Sequence, residues 1–313
     1  MTRSLTSGCG VSRKIDGQIG AVGYAQSPID HNGSLVAFRP KFDANATRQL
    51  DDNLLAMIYV LTVHWKFGFW VDAQISRLRK YIRHPFKTFA FCEETRLDHS
   101  QKFDYCSPLK GLKDHPTKLN ALAEVVCDIA SDSDILIFCD SDAFPVRDIT
   151  DYVYYQLAKW PLVAVQRLEN GDKQPHPCFC MTTAGLWRRI GGDWRAGHTW
   201  TNTFGTVVTD VGGNLLRLLE LNGIEWGKML RSNRVNLQPL LYAVYDDVVY
   251  HHGAGSRPTI GGRAVRHGEL AALDPEKAAR RSTELQKEIA AVSRQVLDIV
   301  DRGRDDELLA LLC

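Results

Sequence analysis

The chain has 313 residues, 44% hydrophobic and 24% charged, the balance of a globular protein with a large core and not of a disordered or fibrous one. With 38 basic and 37 acidic side chains the formal net charge is +1, so no overall field draws the chain to nucleic acid or acidic lipid. The most apolar stretch, Leu54 to Trp70, is broken by His64 and Lys66 and is too short to be a transmembrane segment.

Residues 1–50 are rich in Gly, Ser and Asn, lack sustained periodicity and read as an N-terminal extension. The first residues have no apolar core of a secretory signal, so a cytoplasmic protein with reduced thiols is expected, with a peripheral membrane position left open. Leu54 to Val63 is a continuous apolar run and predicts a buried parallel strand. Phe69 to Ile82 carries Val71, Ile75, Leu78 and Ile82 between basic residues, an amphipathic helix stopped by Pro85. Lys87 to Cys92 predicts the next strand, so the chain opens β-α-β with a right-handed crossover. A helix is expected over Thr117–Ala130, a strand over Asp134–Cys139, a helix over Ile149–Leu157 and a strand over Leu162–Gln166.

Residues 167–209 read as loop-rich. Asp210 opens a further helix closed by Gly223, and Val244 to Tyr250 is the last expected strand, followed by His251-His252-Gly253. The organisation expected is an extension over 1–50, one catalytic domain over 51–265 and a helical tail over 266–313. In that tail Leu285, Ile289, Val292, Val296 and Ile299 step by four and three. Such a seam either docks on its own domain or forms a homodimer. Cys178 and Cys180 follow His176, but C-x-C is not zinc-ligand spacing and a packing role is expected.

The most informative stretch is DILIFCDSDAF from Asp134, where a hydrophobic strand ends in Asp140-Ser141-Asp142. Open α/β sheets bind ligands at the carboxyl ends of their strands. Residues two apart in an extended chain point the same way, so Asp140 and Asp142 converge on one hard cation, Mn2+ or Mg2+, that can bridge to phosphate. The alternative is that the triplet is a plain turn.

Residues 118–144, with Lys118, Asn120 and Ala121 in the helix and Asp140 and Asp142 after the strand, resemble the nucleotide-sugar half of GT-A-fold glycosyltransferases, glycosyltransferase family 2 in particular. The resemblance spans roughly residues 55–260. It implies an α/β fold with a Rossmann-type, mixed but mostly parallel sheet flanked by helices, here with a C-terminal helical tail. It also implies a metal-dependent, nucleotide-sugar-dependent hexosyltransferase, expected to be inverting. The acidic triplet would hold the metal and the nucleotide diphosphate. Asp210, with Thr209 in place of the family's first acid, would be the catalytic base, although aspartate there also suits a helix cap.

A histidine after the last strand completes the metal site in this fold, and His252 is preferred to His251 because Gly253 lets the chain turn. By position, Thr62 and His64 would meet the nucleotide base, and Glu93 and Glu94 the nucleoside edge. Lys118, Asn120 and Arg257 complete the donor side. Trp187, Trp194 and Trp200, with Asp193, would bind the acceptor unless they are ordinary core. The partners are then a nucleotide-sugar donor and a saccharide, lipid-linked or other hydroxyl acceptor. Competing readings are a phosphatase, a sugar nucleotidyltransferase and a non-catalytic carbohydrate-binding scaffold. Phe144 does not fit the first, HWKFGFW after the first strand does not fit the second, and intact Asp140, Asp142 and Asp210 speak against the third.

Overall fold

The computed structural model describes residues 56–65, 68–202, 205–253 and 274–313; the expected N-terminal extension and Arg257 lie outside them. The first apolar run forms β1 (Ile58–Trp65), with only its last residue exposed. The amphipathic helix α1 (Phe69–Tyr81) leads to β2 (Phe86–Glu93), the single turn α2 (Leu97–Ser100) and β3 (Tyr105–Cys106). Helix α3 (His115–Cys127) starts where Asp114 accepts a hydrogen bond from Thr117 N at 2.9 Å, a side-chain N-cap reinforced by Pro116. Next come β4 (Ile135–Asp140), β5 (Ala143–Pro145), α4 (Thr150–Leu157) and β6 (Leu162–Val165).

The segment 167–209, expected to be loop-rich, contains the fully structured β7 (His176–Thr183) and α5 (Ala184–Ile190), then a short pair, β8 (Trp200–Thr201) and β9 (Val207–Val208). Helix α6 (Gly213–Leu221) begins three residues later than Asp210. Its N-cap is Gly212, at φ 86°, where a Cβ would lie 2.0 Å from the Pro175 carbonyl oxygen. After β10 (Gly227–Met229), the single expected last strand is instead a hairpin, β11 (Leu241–Tyr245) and β12 (Val249–Gly253). Asp246 and Asp247 turn it, both at positive φ, which short carboxylate side chains tolerate better than most. The tail forms α7 (Pro275–Asp301) and α8 (Asp305–Leu312).

Seven strands form one sheet in the order β10-β6-β7-β4-β1-β2-β3. All neighbours are parallel except β7, which runs antiparallel between β4 and β6. The expected α/β class with a mostly parallel mixed sheet, flanking helices and a helical C-terminus is the fold this chain adopts. One face carries Val71, Ile75 and Leu78 of α1 and Val153 of α4; the other carries Leu119 and Leu122 of α3, Leu186 of α5 and Leu215 and Leu219 of α6. A second sheet, β11-β12-β5, shares no strand ladder with the first, but β5 starts three residues after β4 ends and the Cys139 thiol of β4 donates to the Ala143 carbonyl of β5 at 3.0 Å.

The tail covers that small sheet. Ile289, Val296, Ile299 and Val300 of α7 and Leu308 and Leu312 of α8 are buried with Trp70, Phe144 and Tyr250. Leu285 and Val292 pack at the edge of the same cluster, so the heptad seam faces the chain's own domain. Asp305, buried to 1% side-chain exposure, accepts hydrogen bonds from Arg77 Nε and Tyr81 Oη, both at 2.8 Å, while Arg77 Nη2 donates to the Val300 carbonyl.

Candidate metal centre and its cleft

The acidic triplet lies where the chain steps from one sheet to the other. β4 ends on Asp140, Ser141 turns, and β5 starts directly after Asp142. Gln74 of α1 fixes this step: its fully buried amide donates to the Asp140 carbonyl at 2.7 Å and the Ala143 carbonyl at 2.8 Å. Its Oε1 in turn lies 3.0 Å from His64 Nε2, which is 3.4 Å from Thr62 Oγ1. Burial holds the His64 imidazole down at about 4, against the hydrogen bond to Gln74 and the charge of Asp142, so at neutral pH it is a neutral donor to the amide.

The second sheet brings the third group. β12 pairs antiparallel with β5, and His251 is the partner of Ala143, next to Asp142. His251 Nε2 lies 3.4 Å from Asp142 Oδ1 and 3.6 Å from Asp140 Oδ2. Adjacent ligands of a six-coordinate Mn2+ or Mg2+ with bonds of about 2.1 Å stand about 3 Å apart, close to the two imidazole–carboxylate distances here, and the three ligand atoms all lie within 4.8 Å of one another. Asp140 Oδ1 is buried without a hydrogen bond. Two carboxylates and an imidazole are a donor set suited to a divalent cation, and the residues fit one. They are the only such group of three among the described residues. Burial opposes charge on His251, but Asp142 and then Asp140 outweigh it and raise its pKa above the ordinary histidine value.

His252 is therefore not the histidine at the carboxylates, a correction that follows from strand alternation. Val249 and His251 face the large sheet, whereas Tyr250 and His252 face the tail. The His252 ring packs on Trp70 at 4.8 Å and its Nδ1 lies 2.8 Å from Tyr250 Oη; its backbone N–H donates to the Asp142 carbonyl. Gly253 does turn the chain, at φ 67°, but after the residue that faces the carboxylates has been passed.

The three groups line a cleft of about 930 Å³. Lys118 of α3 reaches it from one side, pairs with Glu93 at the end of β2, and leaves both expected donor residues on the cleft wall. Val63 and Trp65 of β1 also line it, while Thr62 and His64, expected at the nucleotide base, point to the opposite face and are fully buried. Alternation along β1 puts Val63 and Trp65, not Thr62 and His64, on the side that faces the cleft. Glu94, at φ 55°, joins Glu93 on the wall.

Asn120, Asp193 and the three tryptophans expected at the donor and acceptor are not among the residues that line the cleft. Asn120 points away from the cleft; its Nδ2 donates to Asp193 at 2.6 Å and its Oδ1 accepts from Trp194 N at 3.0 Å. Asp193 is committed to Asn120, Asn214 and Arg195; burial opposes its charge, but these donors hold its pKa down to about 2. Trp187 and Trp194 lie against Phe138 in the core, with Trp194 at 0% exposure, and present no face to an acceptor. Trp200 is buried against the start of α6. Asp210 neither opens α6 nor caps it: its Oδ2 lies 3.2 Å from Arg167 Nη2 and its Oδ1 accepts from Val211 N. Its carboxylate is half exposed beside Arg167, which lines the cleft. Cys178 and Cys180 enter opposite core clusters because a bulge interrupts the β6–β7 ladder, so the pair does not converge with His176 on a metal.

Four residues at the site carried no functional reading in the sequence. Gln74 sits at a core position of α1, in step with Val71, Ile75 and Leu78, and a lone amide there signals a buried bond. His115 stands three residues before Lys118 on the same helix face, and both line the cleft. Arg167, held by Asp172 at 2.7 Å, and His176, kept neutral by burial and by Arg167, come from the segment read as loop.

The chain matches no protein-family model and no curated protein. Among solved structures it is similar to the glycosyltransferase GlyE of Streptococcus pneumoniae TIGR4. To the apo form it is 12% identical over 44% of this chain and 36% of that one, with a TM-score of 0.33. To a second GlyE structure it is 11% identical over 56% and 45%, with a TM-score of 0.36. It thus spans less than half of either GlyE chain. It is also similar to glucosyl-3-phosphoglycerate synthase from Mycobacterium tuberculosis, solved with Mn2+, uridine diphosphate and glucosyl-3-phosphoglycerate. There the identity is 11% over 62% of this chain and 76% of that one, with a TM-score of 0.40. None of these likenesses singles out glycosyltransferase family 2. Among the described residues no helix is long and apolar enough to cross a membrane.

Proposed function

We propose that the protein is a glycosyltransferase that takes a nucleotide-sugar donor and passes the sugar to an acceptor hydroxyl in a single, inverting displacement. The observation that supports this reading is the Asp140–Asp142–His251 group at the carboxyl edge of β4, opening into a cleft of about 930 Å³. Those three side chains are assigned to Mn2+ or Mg2+. A divalent cation held there would supply positive charge to stabilise a diphosphate leaving group. Lys118 and Arg167 face the same cleft and add fixed positive charge for the leaving group. Trp65 and Val63 form an apolar wall beside Glu93 and Glu94, suited to the flat, hydrogen-bonding nucleoside. Asp210, paired with Arg167 of the cleft lining, is assigned the acceptor proton. The acceptor oxygen bonds to the anomeric carbon, the carbon–phosphate oxygen bond breaks, and the proton passes to Asp210.

Thermal unfolding with a panel of UDP-, GDP-, ADP- and dTDP-sugars, with and without Mn2+, tests the reading. A donor held at 100 times its dissociation constant should stabilise the fold by about 2.7 kcal/mol, only when Mn2+ is present. Asp142→Asn should remove that response and leave unfolding without ligand close to the parent's. A parent that responds to no donor, or equally with and without the metal, refutes the reading.

A further inference from the structure

His115 opens α3 and faces the cleft beside Asp140. Its Nε2 stands 3.1 Å from Asp140 Oδ1, while Oδ2 of the same carboxylate is turned to His251. The two oxygens of one aspartate thus face two imidazoles, one from the start of α3 and one from β12. Oδ1 is buried and has no hydrogen bond, because the His115 ring lies at bonding distance but off the line its N–H needs. A turn of the ring is enough to make the bond.

The geometry points to His115 as the positioning residue for the metal centre: Nε2–H donates to Asp140 Oδ1 and holds Oδ2 toward the point shared with Asp142 and His251. This rests on the metal assignment made above. A carboxylate on an extended strand end has a free rotation about its own bond, and only a partner on the far oxygen fixes which oxygen the cation meets. The near-side backbone is already tied by Gln74 through the Asp140 and Ala143 carbonyls, so the side-chain torsion is the remaining freedom. The start of α3 is itself held on two sides, by the Asp114 cap and by Lys118 on Glu93, so little order is lost when His115 engages. His115 keeps 34% of its side chain exposed, so truncating it opens no hole in the core.

Outer partners of ligating groups typically set 10- to 100-fold in metal affinity. The test is a titration with Mn2+ alone, followed by electron paramagnetic resonance of the free ion, with no nucleotide sugar. His115→Ala should bind Mn2+ about 10- to 100-fold more weakly than the parent. His115→Gln, whose amide can donate to the same oxygen, should recover most of that loss. Unfolding temperatures without Mn2+ should match for all three proteins. Mn2+ binding by His115→Ala within about threefold of the parent overturns the positioning role, as does a Gln variant as weak as Ala. If the parent binds no Mn2+, or binds it as well after Asp142→Asn, the metal assignment itself falls and the role of His115 with it.

Discussion

Asp210 and His64 show how one residue's surroundings decide what it can do. Asp210 has no capping task, since its side chain turns to Arg167 and to its own neighbour's N–H. Asp210→Asn keeps the shape and gives up only a half-exposed ion pair, so stability should change by less than about 1 kcal/mol. The amide cannot take a proton, so transfer should slow by about 10²- to 10⁴-fold with donor affinity kept. A variant that transfers at the parental rate removes Asp210 from the chemistry, and retained anomeric configuration in the parent's product removes the single displacement. His64 is the pH-sensitive counterpart. Its imidazole has a pKa of about 4 in the fold against 6.5 when unfolded, burial being the main cause. The unfolded chain therefore binds the extra proton first. The stability at stake is complete above about pH 6.5 and is lost as pH falls toward 4, amounting to about 3 kcal/mol. Urea unfolding at pH 7 and pH 4.5 should show a smaller pH-dependent loss for His64→Gln than for the parent, by about 2 kcal/mol. Identical losses would mean that the buried His64–Gln74 contact does not set the acid sensitivity.

At the level of elements, α1 is tied to the C-terminal helices by a buried ion pair. Arg77 and Asp305 have 4% and 1% side-chain exposure, and Arg77 also lies 4.7 Å from the centre of the Phe144 ring. Removing one partner of such a buried pair typically costs about 3–5 kcal/mol, because the other charge is stranded. Asp305→Ala should show that loss in urea unfolding, while Arg77→Met combined with Asp305→Leu should recover much of it. A single substitution costing under about 1 kcal/mol would show that water reaches the pair. Elements with one clear period were legible in the sequence: α1, α3, β1 and β4 lie within a few residues of their expected places. β7 was not legible, because an antiparallel strand that begins with His-Pro-Cys and contains a bulge shows neither alternation nor an unbroken apolar run. The hairpin merged into one strand because Asp246-Asp247 is a turn without glycine. At the site, Asp140 and Asp142 were legible from the strand-end triplet. The choice between His251 and His252 was not, since it depends on which side of β12 meets β5, a register that only the tertiary pairing fixes.

Across the whole molecule, the candidate site lies where the chain steps from the large sheet to the small one, between the end of β4 and the start of β5. The large sheet contributes the carboxylates from β4; the small sheet contributes His251, and its far face packs on Trp70 and Ala73 of α1 and on the tail. Trp187 and Trp194, which suggested a sugar platform, instead fill the core on the other side of the sheet, so the cleft has fewer aromatic groups than the sequence implied. The placement of the tail has a consequence for how the protein matures during synthesis. Residues up to 253 supply every ligand of the proposed centre, yet Tyr250, Phe144 and Trp70 are sealed only when Ile289 to Leu312 arrive. Arg77, near the front of the described fold, waits for Asp305, more than two hundred residues later, before its charge is matched. At roughly 5–20 residues per second, the last sixty residues take several seconds to emerge from the ribosome. For that interval the hairpin that bears His251 has Trp70 and Ala73 of α1 on its apolar side but not yet the tail, so the nascent chain exposes apolar surface open to capture by chaperones.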